Sequence, residues 1–287
     1  MHISSALKRL FLVSLCAATQ AVTAAPGQEV HFNSLDGTRL RAWLFLPDTP
    51  GPATRPAVVA VHGCGGLYAK GGKLNARHQA MADMLLGQGY AVLFPDSLTS
   101  RGEDSLCNQK MAQRDITQTQ RRSDVLGALA WVATQPWARP KAIAALGWSH
   151  GGSAVLAATD RRQPEVAAQP NTFAAAIAFY PGCAAANKAG YQPNTRLMLL
   201  LGESDDWTPA APCIALGQAV GAELHVYPGS YHEFDNPTGG VRLLRNVPNG
   251  VHPGQGVHAG RNPAAREQAY ASVREELRQT LGAVAIK

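Results

Sequence analysis

Short apolar runs alternate along most of the chain with longer segments in which apolar residues recur at helical spacing. Each short run is rich in β-branched or aliphatic side chains and ends near a Gly, a Pro or a polar residue. Such runs are typical of strands that are buried on both faces of a parallel sheet. They occupy residues 57–62, 91–95, 143–147, 173–180, 197–201 and 223–227. The alternation therefore predicts an α/β fold with a mostly parallel sheet and helices on both faces.

The two runs that precede this series predict a different arrangement. Residues 30–34 and 40–46 flank Asp36-Gly37, a dipeptide that favours the tight turn of a hairpin. We therefore expect an antiparallel N-terminal hairpin at one edge of an eight-stranded sheet.

Helical spacing fills the intervals between the predicted strands. It is clearest near the C-terminus, where Tyr270, Val273 and Leu277 form an apolar stripe and Asn262 is a natural N-cap. The predicted helices cover residues 74–87, 113–134, 151–159, 212–220 and 263–281.

One connection is unusually long for a compact domain. Residues 234–261 are rich in Gly, Pro and Asn and show no helical spacing. They predict either a lid or substrate loop, or a solvated loop.

Residues 1–24 have the pattern of a secretory signal. Lys8 and Arg9 form its charged region, residues 10–22 are largely apolar, and Val22-Thr23-Ala24 offers small residues before a cleavage point. The pattern predicts an exported protein, periplasmic or secreted.

Cleavage after Ala24 would leave a single domain over residues 25–287. Cys16 offers a lipoprotein alternative, but Leu15 is bulky where lipid-modified sites usually carry a small residue. No later apolar segment is long enough to span a bilayer, so we expect no membrane association after signal removal.

Net charge gives little indication of an anionic partner. The loss of Lys8 and Arg9 with the signal lowers the formal net charge from +6 to +4. The remaining positive charges are scattered rather than gathered into a run, which argues against a nucleic-acid partner.

A candidate nucleophile follows the strand predicted near residues 142–146. Ser149 stands in Gly147-Trp148-Ser149-His150-Gly151, and small residues continue to position 155. A strand, a sharp glycine-flanked turn and a helix are the context that a nucleophile elbow requires. Ser149 would then lie at a helix N-terminus, where backbone amides stabilise negative charge.

A serine hydroxyl needs a base, and the base needs an orienting acid. Asp205 follows the strand predicted at 197–201, and His232 follows the one at 223–227, so the order is Ser, acid, His. Asp206 is the alternative acid. We favour Asp205 because of its distance from Gly202.

The loop after residues 57–62 is the candidate second half of an oxyanion hole. It reads His62-Gly63-Cys64-Gly65-Gly66, and its small residues would bring the backbone close to a substrate carbonyl. The amides of Cys64 and His150 are the predicted donors, and the ring of His150 should point away from Ser149. The alternative is that the glycines form only a tight turn.

No metal site is expected. His252 and His258 are the nearest candidates, but no third ligand has a convincing spacing.

Four cysteines remain after the signal, which leaves three possible pairings. The predicted fold favours Cys64 with Cys107 and Cys183 with Cys213, because each pair lies just beyond neighbouring strand ends. Free thiols packed as small apolar groups are the alternative.

The blocks around Cys64, Ser149, Asp205 and His232 together resemble the dienelactone hydrolase family of α/β-hydrolases, from about Val30 to the last helix. The resemblance implies those three side chains as the catalytic triad, the amides of Cys64 and His150 as oxyanion donors, and no cofactor.

The chain departs from the best-known members at two positions. They use a Cys nucleophile controlled by a Glu, whereas Ser149 and Gly63 stand at the corresponding positions here. Their substrate is held by arginines. Arg101, just after residues 91–95, would either bind a substrate carboxylate or pair with a local acid.

These features predict a serine hydrolase of small carboxylic esters or lactones that works through an acyl-enzyme. A peptidase or an acyltransferase on the same scaffold is the first alternative. A non-catalytic exported binding protein is the second.

Overall fold

The structure is a computed structural model that describes residues 27–48 and 53–283. The predicted signal, residues 1–24, lies outside the described residues.

One eight-stranded sheet forms the centre of the molecule, in the order β1-β2-β4-β3-β5-β6-β7-β8. The first two strands form an antiparallel hairpin, β2 also runs antiparallel to β4, and the remaining neighbours are parallel. The predicted fold class is therefore confirmed. The strands are β1 (Gln28–Asn33), β2 (Arg39–Phe45), β3 (Arg55–Val61), β4 (Ala91–Asp96), β5 (Ala138–Trp148), β6 (Ala175–Phe179), β7 (Arg196–Gly202) and β8 (Glu223–Tyr227).

Helices cover both faces of the sheet, and α2, α3 and α6 share one face while α1 and α7 share the other. The helices are α1 (Ala76–Leu86), α2 (Gln118–Ala133), α3 (His150–Thr159), α4 (Pro164–Ala167), α5 (Ala184–Ala189), α6 (Ala210–Val220) and α7 (Pro263–Leu281). Within residues 27–48 and 53–283, none of these helices combines the length and apolar composition needed to cross a bilayer.

Two apolar cores result from the alternation of side chains along the central strands. In β3, Val59 and Val61 point into the core beneath α2 and α3, whereas Val58 and Ala60 point into the core beneath α1 and α7. All four side chains are fully buried. This two-sided burial is why the strands have continuous apolar runs in the sequence.

The start of α2 differs from the sequence prediction. Residues 111–113 form a separate 3-10 turn, and the α-helix begins only at Gln118. Thr117 caps it, because its side chain accepts from the helix amides while the Gln120 side chain accepts from the Thr117 amide. This capping box sets the helix start five residues later than the apolar spacing alone suggested.

The long connection over residues 234–261 contains a two-stranded ribbon of β9 (Arg242–Leu244) and β10 (Val257–Ala259). The ribbon is attached beside the C-terminal edge of the sheet, since the Gly260 amide donates to the His232 carbonyl at 2.8 Å. The Asn249 side chain also donates to the Gln109 carbonyl at 2.8 Å. The segment therefore spans from the loop after β8 to the loop after β4.

Both favoured disulfides are present in the structure. Cys64 is bonded to Cys107, and Cys183 is bonded to Cys213.

Gly127 is where α2 approaches the β1–β2 hairpin, and it provides a test of this packing. A Cβ at Gly127 would lie 2.6 Å from the Asn33 carbonyl oxygen and 2.9 Å from the Ser34 Cα. Ala is intrinsically better than Gly in a helix by about 1 kcal/mol. Because the clash is with backbone, we expect it to outweigh this gain, so that Gly127→Ala lowers the free energy of unfolding by about 1–2 kcal/mol.

Urea denaturation of Gly127→Ala measures this effect. Gly240→Ala is the control, because a Cβ there would meet no described atom within 4 Å. An unchanged or higher midpoint for Gly127→Ala would show that the helix and the hairpin are not tightly packed there.

Candidate active site

The predicted site residues meet at the C-terminal edge of the sheet. Cys64 follows β3, Ser149 follows β5, Asp205 follows β7 and His232 follows β8. Since these strands are parallel, their ends lie along one edge. The parallel alignment of the strands therefore brings together residues that are far apart in sequence.

Ser149 occupies a sharp turn between β5 and α3. Its backbone angles, φ 53° and ψ −118°, are rarely adopted by a residue with a side chain. The turn is possible because a Cβ at Gly147 would collide with the Gly151 carbonyl, and a Cβ at Gly151 would collide with the Val61 carbonyl. The Ser149 amide is held by the Phe179 carbonyl at 2.9 Å. The glycines on both sides are thus required by the close approach of β5, α3 and β3.

A continuous chain of hydrogen bonds joins the three predicted side chains. Ser149 Oγ lies 2.9 Å from His232 Nε2, and His232 Nδ1 lies 2.7 Å from Asp205 Oδ2. All three residues are buried. Asp206, the alternative acid, instead contacts His258 Nδ1 at 2.7 Å.

Asp205 is itself held in place by the loop that follows it. Its Oδ1 accepts from the amides of Trp207 and Thr208, each at 2.9 Å. The Thr208 hydroxyl lies 3.1 Å from Asp205 Oδ2 and 2.9 Å from the Tyr180 carbonyl. These hydrogen bonds orient the carboxylate so that its Oδ2 faces His232.

The amides of Cys64 and His150, the predicted oxyanion donors, belong to neighbouring elements at this edge of the sheet. His150 is the first residue of α3, and Cys64 lies just beyond β3, the strand next to β5. Among the described residues, no backbone carbonyl accepts from either amide. An oxyanion hole requires amides of this kind, without a partner in the protein.

Arg121 contacts the residues beside these two amides and is fully buried. Its guanidinium donates to the His62 carbonyl at 2.7 Å and contacts His150 Nδ1 at 3.2 Å. Burial lowers the pKa of Arg121 to about 10, so the group is charged at neutral pH. Burial and the Arg121 charge lower the pKa of His150 well below its usual value. The ring of His150 is therefore neutral and turned toward Arg121.

An ion pair forms one wall of the cleft beside Ser149. Arg77 Nη2 lies 3.0 Å from Glu233 Oε1, and Arg77 Nη1 donates to the Tyr180 hydroxyl at 2.6 Å. Burial by itself would raise the pKa of Glu233, but the charge and hydrogen bond of Arg77, together with the charges of His232 and Arg242, outweigh it and lower that pKa to about 2. The wall is therefore polar and carries charges of both signs.

The carboxyl group of Asp235 lies behind this pair. It accepts from the Trp148 indole at 2.8 Å and from the Tyr180 hydroxyl at 2.6 Å. Burial raises the pKa of Asp235. Trp148, next to the nucleophile candidate in sequence, is thereby linked to the wall formed by Arg77.

The cleft in front of Ser149 is small, with a volume of about 70 Å³. Its lining is mainly glycine backbone and polar side chains, with Trp207 and the Cys64–Cys107 bridge as the larger apolar groups. Asn75, Arg77 and Glu233 form its polar side.

Arg101 is not one of the residues that line this cleft. Its guanidinium binds both carboxylate oxygens of Asp124, at 2.9 and 2.7 Å, and also contacts Asp36 at 2.8 Å. Of the two interpretations of Arg101, this geometry supports the pairing with a local acid, and the substrate-carboxylate interpretation is corrected accordingly. The reason is that Asp124 on α2 already occupies the guanidinium fork.

Within the described residues, no group of three potential metal ligands comes together. His258 contacts Asp206 and packs against Tyr231 in a tilted arrangement, with the ring centroids 5.1 Å apart.

Four residues around the site were missed by the sequence interpretation, namely Arg77, Arg121, Thr208 and Glu233. Arg121 had a detectable signal, because it shares a helical stripe with buried apolar residues of α2. A charged residue on an apolar stripe is unusual unless it has buried partners. Thr208 had no such signal, since its role depends on how a loop folds.

A mostly parallel eight-stranded sheet with a serine at a strand-to-helix elbow defines the protein as an α/β-hydrolase. The family model of the dienelactone hydrolase family matches residues 40–281. The chain belongs to this family, and it is accordingly a carboxylic ester hydrolase.

Solved structures of low sequence identity share the fold. A dienelactone hydrolase-like promiscuous phosphotriesterase from metagenomic libraries is 17% identical, with a TM-score of 0.64 over 90% of this chain and 99% of that chain. Thermogutta terrifontis esterase 2 phosphonylated by sarin is 17% identical, with a TM-score of 0.64 over 90% and 96%. The propionate-bound form of Est2 from that organism is 16% identical, with a TM-score of 0.61 over 91% and 96%. Comparison with curated proteins finds no match.

The Arg77–Glu233 pair predicts a pH-dependent contribution to stability. Because the pKa of Glu233 is lowered from 4.5 to about 2, the contribution is present above pH 4.5 and is lost as the pH falls toward 2. Glu233→Gln leaves the Arg77 charge without this carboxylate, so we expect a loss of about 2 kcal/mol in the free energy of unfolding at pH 7.

Urea denaturation at pH 7 and at pH 3 checks this, and the difference between Glu233→Gln and the unmodified protein should shrink at the lower pH. Glu267→Gln is the control, because the Glu267 side chain is 76% exposed and should matter little at either pH. A difference that is constant with pH would exclude the ion pair as its cause.

Proposed function

We propose that the protein is an exported serine esterase that hydrolyses small carboxylic esters or lactones through an acyl-enzyme on Ser149. The observation that carries this proposal is the hydrogen-bond chain from Asp205 through His232 to Ser149 Oγ, with steps of 2.7 and 2.9 Å. In this proposal, the backbone amides of Cys64 and His150 form the oxyanion hole.

Acylation begins with His232. Its Nε2 takes the hydroxyl proton as Ser149 Oγ attacks the ester carbonyl carbon. The carbonyl oxygen becomes negative and accepts from the amides of Cys64 and His150. Asp205 stabilises the protonated ring. The tetrahedral intermediate collapses when His232 returns the proton to the leaving alcohol oxygen.

Deacylation repeats these steps with water as the nucleophile. His232 takes a proton from water as the oxygen attacks the acyl carbon, and it then returns the proton to Ser149 Oγ as the acid leaves. A lactone follows the same route, except that its alcohol remains attached to the acyl group.

Two observations support small substrates. The cleft before Ser149 has a volume of about 70 Å³, and its polar wall of Asn75, Arg77 and Glu233 offers little apolar surface to a long acyl chain. A neighbour in fold, Est2, is described with propionate bound, which is a short acid.

A serine rather than a thiol nucleophile is part of the proposal. Gly63 precedes the Cys64 donor where the best-known family members have a Glu that controls their thiol, so no carboxylate stands at that position to act on Ser149. The phosphonylated state of a neighbouring esterase supports testing with organophosphorus probes.

Export is supported by the two disulfides, because structural disulfides persist in oxidising compartments. The proposal keeps the signal at residues 1–24 and one catalytic domain over residues 25–287.

Peptidase or acyltransferase activity would use the same three side chains, so substrate assays must separate these alternatives. Membership of a hydrolase family favours hydrolysis over a binding function.

A fluorophosphonate probe tests the nucleophile. It should label the unmodified protein, and Ser149→Ala should abolish labelling and lower kcat for a short ester by about 10⁴-fold or more. Ser153→Ala is the control, because Ser153 lies one turn further along α3 and its hydroxyl contacts only backbone groups, the Gly182 amide and the Ser149 carbonyl among them, rather than His232. Full labelling of Ser149→Ala would refute the assignment.

A substrate panel tests the reaction class. We expect hydrolysis of p-nitrophenyl acetate and of small lactones, with kcat/KM for p-nitrophenyl octanoate lower by about tenfold or more because the cleft is small. Anilide analogues should react far more slowly than esters. Comparable cleavage of esters and anilides would favour a peptidase. Transfer of the acyl group to added alcohols in preference to water would favour an acyltransferase.

A further inference from the structure

We propose that the Cys64–Cys107 disulfide is a positioning element of the oxyanion hole, which holds the Cys64 amide in the geometry that the reaction requires. This inference rests on the proposed function of Ser149. It assigns to one of the two disulfides a role in turnover, beyond its contribution to stability.

The loop that carries the Cys64 amide has little rigidity of its own. It follows the end of β3, and three of its four residues over positions 63–66 are glycines. Glycine backbones have the greatest conformational freedom, so this sequence does not by itself hold an amide in one direction. An oxyanion donor acts only when its N–H is directed at the developing charge.

The disulfide fastens this loop to the segment after β4. Beside the covalent bond, the Cys64 carbonyl accepts from the Leu106 amide at 2.8 Å and lies 3.4 Å from the Ser105 hydroxyl. The carbonyl of the Cys64 residue and its side chain are thus both held from one side. The residue itself lines the cleft in front of Ser149.

The segment that carries Cys107 is itself firmly attached. Leu98, Leu106 and Ile116 form a small buried apolar cluster with Cys64, and Trp207 packs against it. The start of the segment is tied to α2 by the bidentate Arg101–Asp124 pair. The bridge therefore connects the glycine loop to an anchored part of the fold.

The bridge also lies at the reaction site, because both Cys64 and Cys107 line the cleft in front of Ser149. The second disulfide differs in this respect. Cys183 and Cys213 are 2% and 0% exposed, neither lines that cleft, and their bond joins the start of α5 to α6.

The two bridges form a matched pair for an experiment. They close loops of 43 and 30 residues, so chain entropy predicts nearly equal losses of stability when either is removed. A role in catalysis is therefore separable from a role in stability.

The experiment compares Cys64→Ala/Cys107→Ala with Cys183→Ala/Cys213→Ala in the full chain, assayed with p-nitrophenyl acetate at a temperature where circular dichroism shows both to be folded. The Cys64 amide is retained in both. We expect the first variant to lose about tenfold or more in kcat with KM nearly unchanged, because one donor is misdirected in the transition state. The second should keep kcat within about twofold.

Amide hydrogen exchange gives a readout that does not depend on activity. Exchange at residues 63–66 should accelerate in the Cys64→Ala/Cys107→Ala variant and stay as in the unmodified protein in the other. If the alanine pair does not fold, Cys64→Ser/Cys107→Ser is used in its place, since the hydroxyls fit the same space.

Equal kcat values for the two variants, or unchanged exchange at residues 63–66, would overturn the inference. Failure of the proposed function has a different signature, namely no Ser149-dependent hydrolysis by the unmodified protein. In that case the exchange measurement still decides whether the bridge holds the loop.

Discussion

The close approach of β3, β5 and α3 around Ser149 is the constraint on which the site depends. Gly147 and Gly151 have no side chains because carbonyl groups occupy the space that a Cβ would need. The Ser149 backbone is consequently held in a sparsely populated conformation, at a cost on the order of 1–3 kcal/mol that the packing of α3 on the sheet offsets. The turn places both the hydroxyl and the His150 amide at the sheet edge, where the loops after β3, β7 and β8 meet it.

Buried charge is the second organising feature, and it lies on two sides of the cleft. On one side, Arg121 contacts the His62 carbonyl and the His150 ring. On the other side, Arg77 is balanced by Glu233 and by the more deeply buried Asp235. Buried charges are tolerated only when they are hydrogen-bonded or paired. The backbone and side-chain partners of these groups must therefore keep their positions. Of these groups, Arg77 and Glu233 line the cleft itself and place charge of both signs in its wall.

The strands and most helices could be predicted because their signals are local. An apolar run buried on both faces, or a stripe at helical spacing, is visible in a few consecutive residues. Two boundaries were misplaced by five residues: α2 begins later than predicted because Thr117 and Gln120 cap it, and β5 begins at Ala138, before its apolar run. The β9–β10 ribbon was missed because its strands have only three residues each. Arg101 could not be assigned in advance, since Asp124 and Asp36 reach it from other parts of the chain.

By itself, the sequence determined where the strands lie along the chain and which short motifs follow them, because each strand and each motif is made of neighbouring residues. It therefore predicted that Ser149, an acid and His232 lie at one edge of the sheet, with the glycine loop next to them. The sequence favoured Asp205 over Asp206 and Cys64 with Cys107, but only the tertiary structure decided both, and it alone showed that Arg121 donates to the His62 carbonyl. These contacts depend on distances between segments far apart in the chain, which a local pattern can favour but cannot decide.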